Sequence, residues 1–159
     1  LKIRVMGSPV LIDTFNALGA QATPMSLGEV YTSLQQGVID GAETDHVDLL
    51  VENFFEVTKY VSLTGHMYLA AALVCSEKAI EKLPVSIQVK MRAAAEASTT
   101  AQRVAMDRMA GEAYAQLVDK GLEFNDVDLA AFRSKAMSVY EKNADRVGGL
   151  EMINLVAAQ

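Results

Sequence analysis

The stretch from Ser26 to Glu43 constrains the fold more than any other part of the sequence. Ser26 and Glu29 have the spacing of a capping box, and apolar side chains then recur at helical spacing until Gly37. Residues 38–41, Val-Ile-Asp-Gly, predict a short buried strand that ends in a polar turn. A helix that leads into such a strand is half of an α/β layer, and ligands bind beyond the carboxyl ends of its strands.

Strand and helix patterns alternate through residues 1–64. The first strand ends at Gly7-Ser8-Pro9, where Ser8 can cap a helix and Pro9 suits its first position. Short strands are predicted at residues 22–25 and 60–63, and Thr44 or Asp45 is predicted to cap the third helix. The resulting order, β-α-β-α-β-α-β, predicts a parallel sheet with helices packed on it.

The pattern changes after residue 64. Residues 67–75 predict a strand that is apolar on both faces and buries Cys75 at its end, and residues 77–82 predict a short helix. Residues 84–120 then predict a helix on the order of 55 Å long, whereas a compact domain of this size is about 30 Å across. The helix must therefore break or cross more than one lobe. A strand at 122–124, a helix at 126–143 and a short terminal helix are predicted to follow.

Composition excludes several classes of partner. The net charge of −6 and the pI near 4.9 argue against nucleic acid and anionic membrane surfaces. The chain is 51% hydrophobic with a mean hydropathy of +0.17, yet no apolar run approaches the roughly 20 residues of a membrane helix. We therefore expect no membrane insertion. We expect instead that the apolar surface covers a partner or another part of a longer chain, because the sequence begins mid-strand without Met or a leader.

Polar or small residues follow three of the predicted strands, and together they indicate a site for a small anion, most simply a carboxylate. Arg4 supplies a planar cation, Gly7 allows close approach to the backbone, and helix N-termini offer unpaired N–H groups. The alternative for Arg4 is a surface ion pair with an acid. The alternative for Ser8, Ser26 and Thr44 is simple helix capping.

Acidic side chains after the third strand add a second possibility. Glu43 and Asp45 suit sugar hydroxyls or, as a minor alternative, a cation with oxygen ligands. The structural alternatives are a helix cap at Asp45 and an ion pair from Glu43 to Arg4 or a lysine. An acid–base pair of Glu43 with His46 or His66 would instead predict an enzyme, although His66 is better interpreted as a hydrogen-bonded structural histidine. The sequence has no nucleophile elbow, phosphate loop, dinucleotide fingerprint or HExxH motif, and we expect no cofactor.

Several motifs occur together in a fixed order. They are Leu1-Lys2-Ile3-Arg4-Val5, Ala17-Leu18-Gly19-Ala20, Pro24-Met25, Glu29-Val30-Tyr31, the run Leu34 to Gly41, Leu63-Thr64-Gly65-His66 and the run Asp128 to Arg133. In this order the chain closely resembles the solute-binding proteins of tripartite ATP-independent periplasmic (TRAP) transporters.

The resemblance implies a periplasmic receptor without catalytic activity. Two lobes would trap a small organic acid or sugar acid by hinge closure and deliver it to the membrane permease. It also implies that this chain is the second half of such a receptor, with a signal peptide and a first lobe encoded before it. The expected fold is a type II periplasmic-binding-protein lobe, with residues 1–64 as the ligand-binding α/β lobe. Residues 65–159 would supply a hinge strand, a long inter-lobe helix and C-terminal helices.

The resemblance further implies roles for individual residues. Arg4 matches the family arginine that pairs with the substrate carboxylate, and Gly7, Ser8, Leu27 and Thr44 match positions that line the cleft. Glu43 matches a position that coordinates a cation in relatives that bind 2-oxo acids.

The commonest family pattern has Gln and Asn where this chain has Ala42 and Thr44. The ligand class therefore stays open among uronates, other sugar acids, dicarboxylates and hydroxy acids. A homodimer formed through the apolar surface is a further alternative.

Overall fold

A computed structural model describes residues 1–157 of the chain. Its strands are β1 (Lys2–Val5), β2 (Gln21–Pro24), β3 (Gly41–Ala42), β4 (Tyr60–Leu63) and β5 (Glu123–Asp126). Its α-helices are α1 (Pro9–Ala17), α2 (Val30–Gln35), α3 (His46–Val51), α4 (Glu77–Ile80), α5 (Val85–Asp119), α6 (Leu129–Asn143) and α7 (Leu150–Ala157). Short 3-10 helices occupy Leu27–Glu29, Phe54–Glu56 and Ala144–Arg146. The last two residues of the predicted 65–159 unit lie outside the described residues.

The strands form two parallel sheets. The first has the order β2-β1-β3, with Arg4 opposite Thr23 on one side and Ala42 on the other. This confirms the predicted parallel α/β layer. The prediction that β4 extends the same sheet is wrong, because β4 pairs with β5 and places Val61 opposite Phe124. A strand pattern predicts which residues are extended but not which strand they pair with. The partner of β4 lies more than 60 positions further along the chain.

The third strand lies later in the chain than its apolar pattern predicts. Ile39 is buried, as expected, but the ladder with β1 falls on Gly41–Ala42. Gly37 adopts φ = +69°, and the amide of Val38 then donates to the carbonyl of Ser33 at 2.9 Å. Because Val38 completes the end of α2 in this way, it does not join the sheet.

One hydrophobic cluster holds the sheet, α2, α3 and the end of α5 together. Its buried members are Val30, Ile39, Leu49, Phe54, Leu117 and Leu122. Burial of a side chain of this size stabilises a fold by about 1.5–3 kcal/mol. The cluster therefore fixes the positions of the loops that follow β2 and β3.

Helix α5 is a single helix of 35 residues, about 52 Å long at 1.5 Å per residue. Only Ala113 and Leu117, both near its C-terminal end, are buried. Of the two alternatives left by the sequence, the structure shows the unbroken helix, and the apolar side chains of its first half are exposed. They include Val85, Ile87, Val89 and Met91. No helix in the described part of the chain is both long and apolar enough to span a bilayer.

The predicted strand at residues 67–75 is absent. This segment has no regular secondary structure and joins neither sheet, and it exposes Tyr68, Leu73 and Val74. Cys75 is exposed as well, so its predicted burial is also wrong. A strand needs a neighbour for its N–H and C=O groups, and residues 1–157 provide no ladder here. Where residues 77–82 predict a short helix, α4 forms and ends at Ile80.

Helix α6 packs against α1. Asp128 caps α6 by accepting a hydrogen bond from the amide of Ala131 at 3.0 Å. Near the other end, Lys142 Nζ donates to Asp13 Oδ1 at 2.6 Å and Asn143 Nδ2 donates to Asp13 Oδ2 at 3.2 Å. These contacts attach the C-terminal part of the chain to the first helix of the α/β layer.

Candidate functional site

The carboxyl ends of β1, β2 and β3 meet at one edge of the first sheet. The amide of Met25 donates to the carbonyl of Val5 at 3.2 Å, and the amide of Glu43 donates to the carbonyl of Arg4 at 3.0 Å. Because both bonds continue the parallel ladder past its last paired residues, the loops that follow all three strands start close together. This edge is where a parallel sheet offers a ligand site.

Arg4 lies beneath this edge and is only 5% exposed. Its Nε donates to the carbonyl of Met25 at 3.0 Å, and its Nη1 donates to the carbonyl of Glu43 at 3.3 Å. In residues 1–157 no hydrogen bond involves Nη2 of Arg4. The guanidinium is therefore more enclosed than a cation at an open groove would be, and its orientation is fixed by two backbone carbonyls.

Glu43 is the carboxylate closest to Arg4 and is 7% exposed. Its Oε1 accepts a hydrogen bond from the amide of Met6 at 3.1 Å and lies 3.9 Å from Arg4 Nη1. Its Oε2 lies 3.7 Å from His66 Nε2. Burial alone would raise the pKa of Glu43, but the facing His66, the Met6 amide and the charge of Arg4 together lower it below its ordinary value. Glu43 is thus ionised at neutral pH and compensates the charge of Arg4.

His66 joins this pair from the segment after β4. Its Nδ1 lies 2.7 Å from Thr64 Oγ1, and its ring packs edge-on against Phe15 with centroids 5.1 Å apart. The structure thus confirms the predicted hydrogen-bonded histidine. From the sequence, His66 was paired with Glu43 only in the enzymatic alternative. The Leu63-Thr64-Gly65-His66 motif was the one sequence feature that could have placed His66 at this site.

The two residues after Glu43 take different roles. Asp45 caps α3, and its Oδ1 accepts from the amide of Asp48 at 2.8 Å. The prediction left Thr44 or Asp45 as the cap, and the structure selects Asp45. Thr44 instead points its hydroxyl inward, where Oγ1 is buried and has no hydrogen-bond partner in residues 1–157. A buried hydroxyl without a partner costs about 1–3 kcal/mol, so this atom is one that a ligand could satisfy.

The remaining predicted site residues, Gly7, Ser8 and Leu27, follow β1 and β2 and form no side-chain hydrogen bond with Arg4 in residues 1–157. A side chain at Gly7 would meet no atom within 4 Å, so the backbone there is open to close approach. Ser8 precedes α1 in extended conformation but makes no side-chain capping bond. Leu27 packs, partly buried, against the hydrophobic cluster.

His46 lies elsewhere, in an aromatic group that joins α3, α5 and β5. Its ring centroid is 5.6 Å from that of Tyr114 and 5.6 Å from that of Phe124. His46 therefore packs between elements, which gives no support to an acid–base pair between His46 and Glu43. Among residues 1–157 no group of three or more His, Cys, Asp or Glu side chains is arranged to hold a metal ion.

Two cavities lie away from Arg4. The larger, about 800 Å³, lies between residues 73–81 and the first half of α5. The smaller, about 290 Å³, lies between α1, residues 64–66 and α6. Neither is lined by Arg4 or Glu43, so neither of these two cavities is the anion site predicted from the sequence.

The chain resembles known solute-binding proteins in sequence and in structure. The family model DctP, bacterial extracellular solute-binding protein family 7, matches residues 1–146. A solute-binding protein of Chromohalobacter salexigens is 34% identical over 143 residues, which are 89% of this chain and 43% of that protein.

Solved structures give the same result. A TRAP periplasmic solute-binding protein of Pseudomonas putida F1 with bound D-glucuronate matches with a TM-score of 0.89 and 36% identity, over 100% of this chain and 52% of its own. One from Sulfitobacter sp. NAS-14.1 with bound β-D-galacturonate matches with a TM-score of 0.88 and 34% identity, over 98% and 51%. The chain thus spans about half the length of these proteins.

Proposed function

The chain belongs to family 7 of the bacterial extracellular solute-binding proteins, and we propose that it supplies the carboxylate-binding half of a periplasmic TRAP receptor. The family consists of transport receptors rather than enzymes, which favours binding over catalysis. The proposed cargo is a small sugar acid, because two structural neighbours hold uronates.

The position of Arg4 is the single observation that carries this proposal. Two backbone carbonyls and the carboxylate of Glu43 fix the guanidinium at the end of β1, while Nη2 has no hydrogen-bond partner in residues 1–157. A fixed guanidinium loses little conformational entropy when it binds a carboxylate, and a charge-assisted hydrogen bond in an enclosed site is strong. Glu43 accordingly acts by positioning Arg4 and balancing its charge.

Other groups at the edge would complete the ligand contacts. The orphaned hydroxyl of Thr44 offers one hydrogen bond to a sugar hydroxyl. The open backbone at Gly7 and Ser8 leads into the N-terminus of α1, whose amides favour negative charge. Leu27 supplies an apolar wall. Asp45 caps α3, and its free oxygen is the remaining candidate for a hydroxyl contact.

The second half of the receptor would cover the surface that this chain leaves apolar. Residues 67–75 and the first half of α5 expose large hydrophobic side chains around the 800 Å³ cavity. Packing of another lobe on this surface would give residues 67–75 a strand partner and bury Cys75. Closure of the two lobes over Arg4 would then trap the cargo for delivery to the membrane permease.

Calorimetric titration of the full-length receptor with D-glucuronate tests the proposal. Arg4→Ala should weaken binding at least tenfold, because it removes the charge that pairs with the carboxylate. Arg4→Lys should also weaken binding, since a lysine keeps the charge but loses the planar fork. Lys2→Ala is the matched control, because it removes an exposed charge from the same strand and should leave affinity unchanged.

Circular dichroism at the titration temperature establishes that each variant is folded. An affinity for D-glucuronate that is equal in Arg4→Ala, Lys2→Ala and the wild type would exclude Arg4 from cargo binding. Absence of D-glucuronate binding to the wild type, with binding of another organic acid that depends on Arg4, would change the cargo and keep the role of Arg4.

A further inference from the structure

We propose that the chain has a second small-molecule site, in the cavity between α1 and α6, for a ligand with one anionic group and an apolar body. This site goes beyond the proposed cargo site: Arg4 and Glu43 do not line the cavity, and the two sites share only His66, which lines the cavity and faces Glu43. It also accounts for Arg133, which ends the Asp128 to Arg133 motif and has no role in the cargo site.

The cavity has the size and lining of a small-ligand pocket. Its volume of about 290 Å³ is just below the range for drug-sized ligands, about 300–1,000 Å³, and suits a smaller molecule. Leu18, directly after α1, and Phe132 of α6 supply apolar surface, and Thr14 and Tyr140 supply hydroxyls. A mixture of apolar walls and a few polar groups is typical of ligand sites.

Hydrogen bonds on two sides hold the walls of the cavity in place. On the first side, Asp13 of α1 accepts hydrogen bonds from both Lys142 and Asn143 of α6, and Asn143 is only 5% exposed. On the second side, His66 is fixed by Thr64 and by the ring of Phe15. The cavity is therefore formed before any ligand binds, which lowers the entropic cost of binding.

Arg133 defines the charge of the ligand. It is the residue with a permanent charge in the lining, and no carboxylate in residues 1–157 forms an ion pair with it. On the same helix, Lys142 is already paired with Asp13. A guanidinium beside apolar walls and hydroxyls favours a carboxylate or similar anion attached to a hydrophobic body.

Ligand-observed NMR titration of the full-length receptor with benzoate tests the site, with benzamide as the neutral probe of the same shape. Benzoate should bind at least fivefold more tightly than benzamide. Arg133→Gln should remove this preference by weakening benzoate at least fivefold. Lys135→Gln is the matched control, because this exposed residue of α6 does not line the cavity, and it should change the affinity by less than twofold.

A second variant tests the cavity itself. Ala136→Phe places a ring in the space between the helices and should abolish benzoate binding while the exposed surface of α6 keeps its charges. The proposal is overturned if benzoate does not bind the wild type, or if Arg133→Gln or Ala136→Phe retains wild-type affinity. None of these outcomes changes the expected effect of Arg4→Ala on D-glucuronate, so the two sites are tested independently.

Discussion

Removal of the charge of Glu43 should lower the free energy of unfolding more than removal of an exposed carboxylate would. The side chain is 7% exposed, accepts from the Met6 amide at 3.1 Å and lies 3.9 Å from Arg4 Nη1. Loss of one partner from a buried charge pair costs about 3–5 kcal/mol, because the other charge is left uncompensated. Glu43→Gln keeps an acceptor for Met6, and the 3.9 Å separation is long for an ion pair. We therefore expect the free energy of unfolding to fall by about 2–3 kcal/mol, less than the general cost.

Urea unfolding of the ligand-free full-length receptor at pH 7, followed by far-UV circular dichroism, measures this loss. With a slope of about 2 kcal/mol per molar urea, the midpoint should fall by about 1–1.5 M. Glu123→Gln is the matched control. It removes an equal charge from an exposed pair with Lys59 at 2.9 Å, and such pairs contribute about 0.2–1 kcal/mol.

A double-mutant cycle separates the interaction energy between Arg4 and Glu43 from the effect of each substitution alone. Arg4→Gln alone should also destabilise, because it leaves Glu43 buried and charged without its cation. The combination of Arg4→Gln and Glu43→Gln should cost at least about 1 kcal/mol less than the sum of the two single changes. Additive losses, or a loss in Glu43→Gln no greater than in Glu123→Gln, would show that the two charges do not compensate each other.

Two further measurements follow from the same structure. Because the pKa of Glu43 is lowered in the folded protein, its ionised form adds stability above the ordinary value of 4.5, and this contribution is lost as the pH falls through the folded pKa. The difference in unfolding free energy between the wild type and Glu43→Gln should thus be full at pH 6 and shrink below about pH 4.5, whereas a difference independent of pH would contradict an ionised Glu43. Leu117→Ala should cost about 2–5 kcal/mol in urea unfolding, because Leu117 is fully buried between α5 and the sheet layer. The adjacent Val118→Ala, at a side chain that is 46% exposed, should cost less than about 1 kcal/mol, and equal losses at the two positions would contradict the packing of α5.

Local features were predictable from the sequence because they depend on residues a few positions apart. The capping pair at Ser26 and Glu29 forms, with the amide of Ser26 donating to Glu29 Oε2 at 3.2 Å. The helical pattern predicted to run as far as Gly37 ends there, where Gly37 has a positive φ, and α5 ends before Gly121. The family resemblance rested on motifs of the same local kind, and the match over residues 1–146 confirms it.

The strand assignments show where local patterns stop being sufficient. Residues 67–75 have the composition of a buried strand, yet they join no sheet within residues 1–157. Apolar composition favours burial, but a strand forms only where another strand satisfies its backbone. The same limit explains why β4 was assigned to the first sheet, since only the folded chain brings it to β5.

The sequence by itself determined the α/β layer, the long helix, the family and the strand end at which Arg4 lies. Only the tertiary structure decided that Glu43 and His66 converge on that strand end, that Asp45 rather than Thr44 caps α3, and that α6 closes a cavity against α1. The physical reason is distance along the chain. Capping and helix periodicity act over three or four residues, whereas Arg4 and Glu43 are 39 residues apart and meet only because the hydrophobic cluster holds their strands side by side.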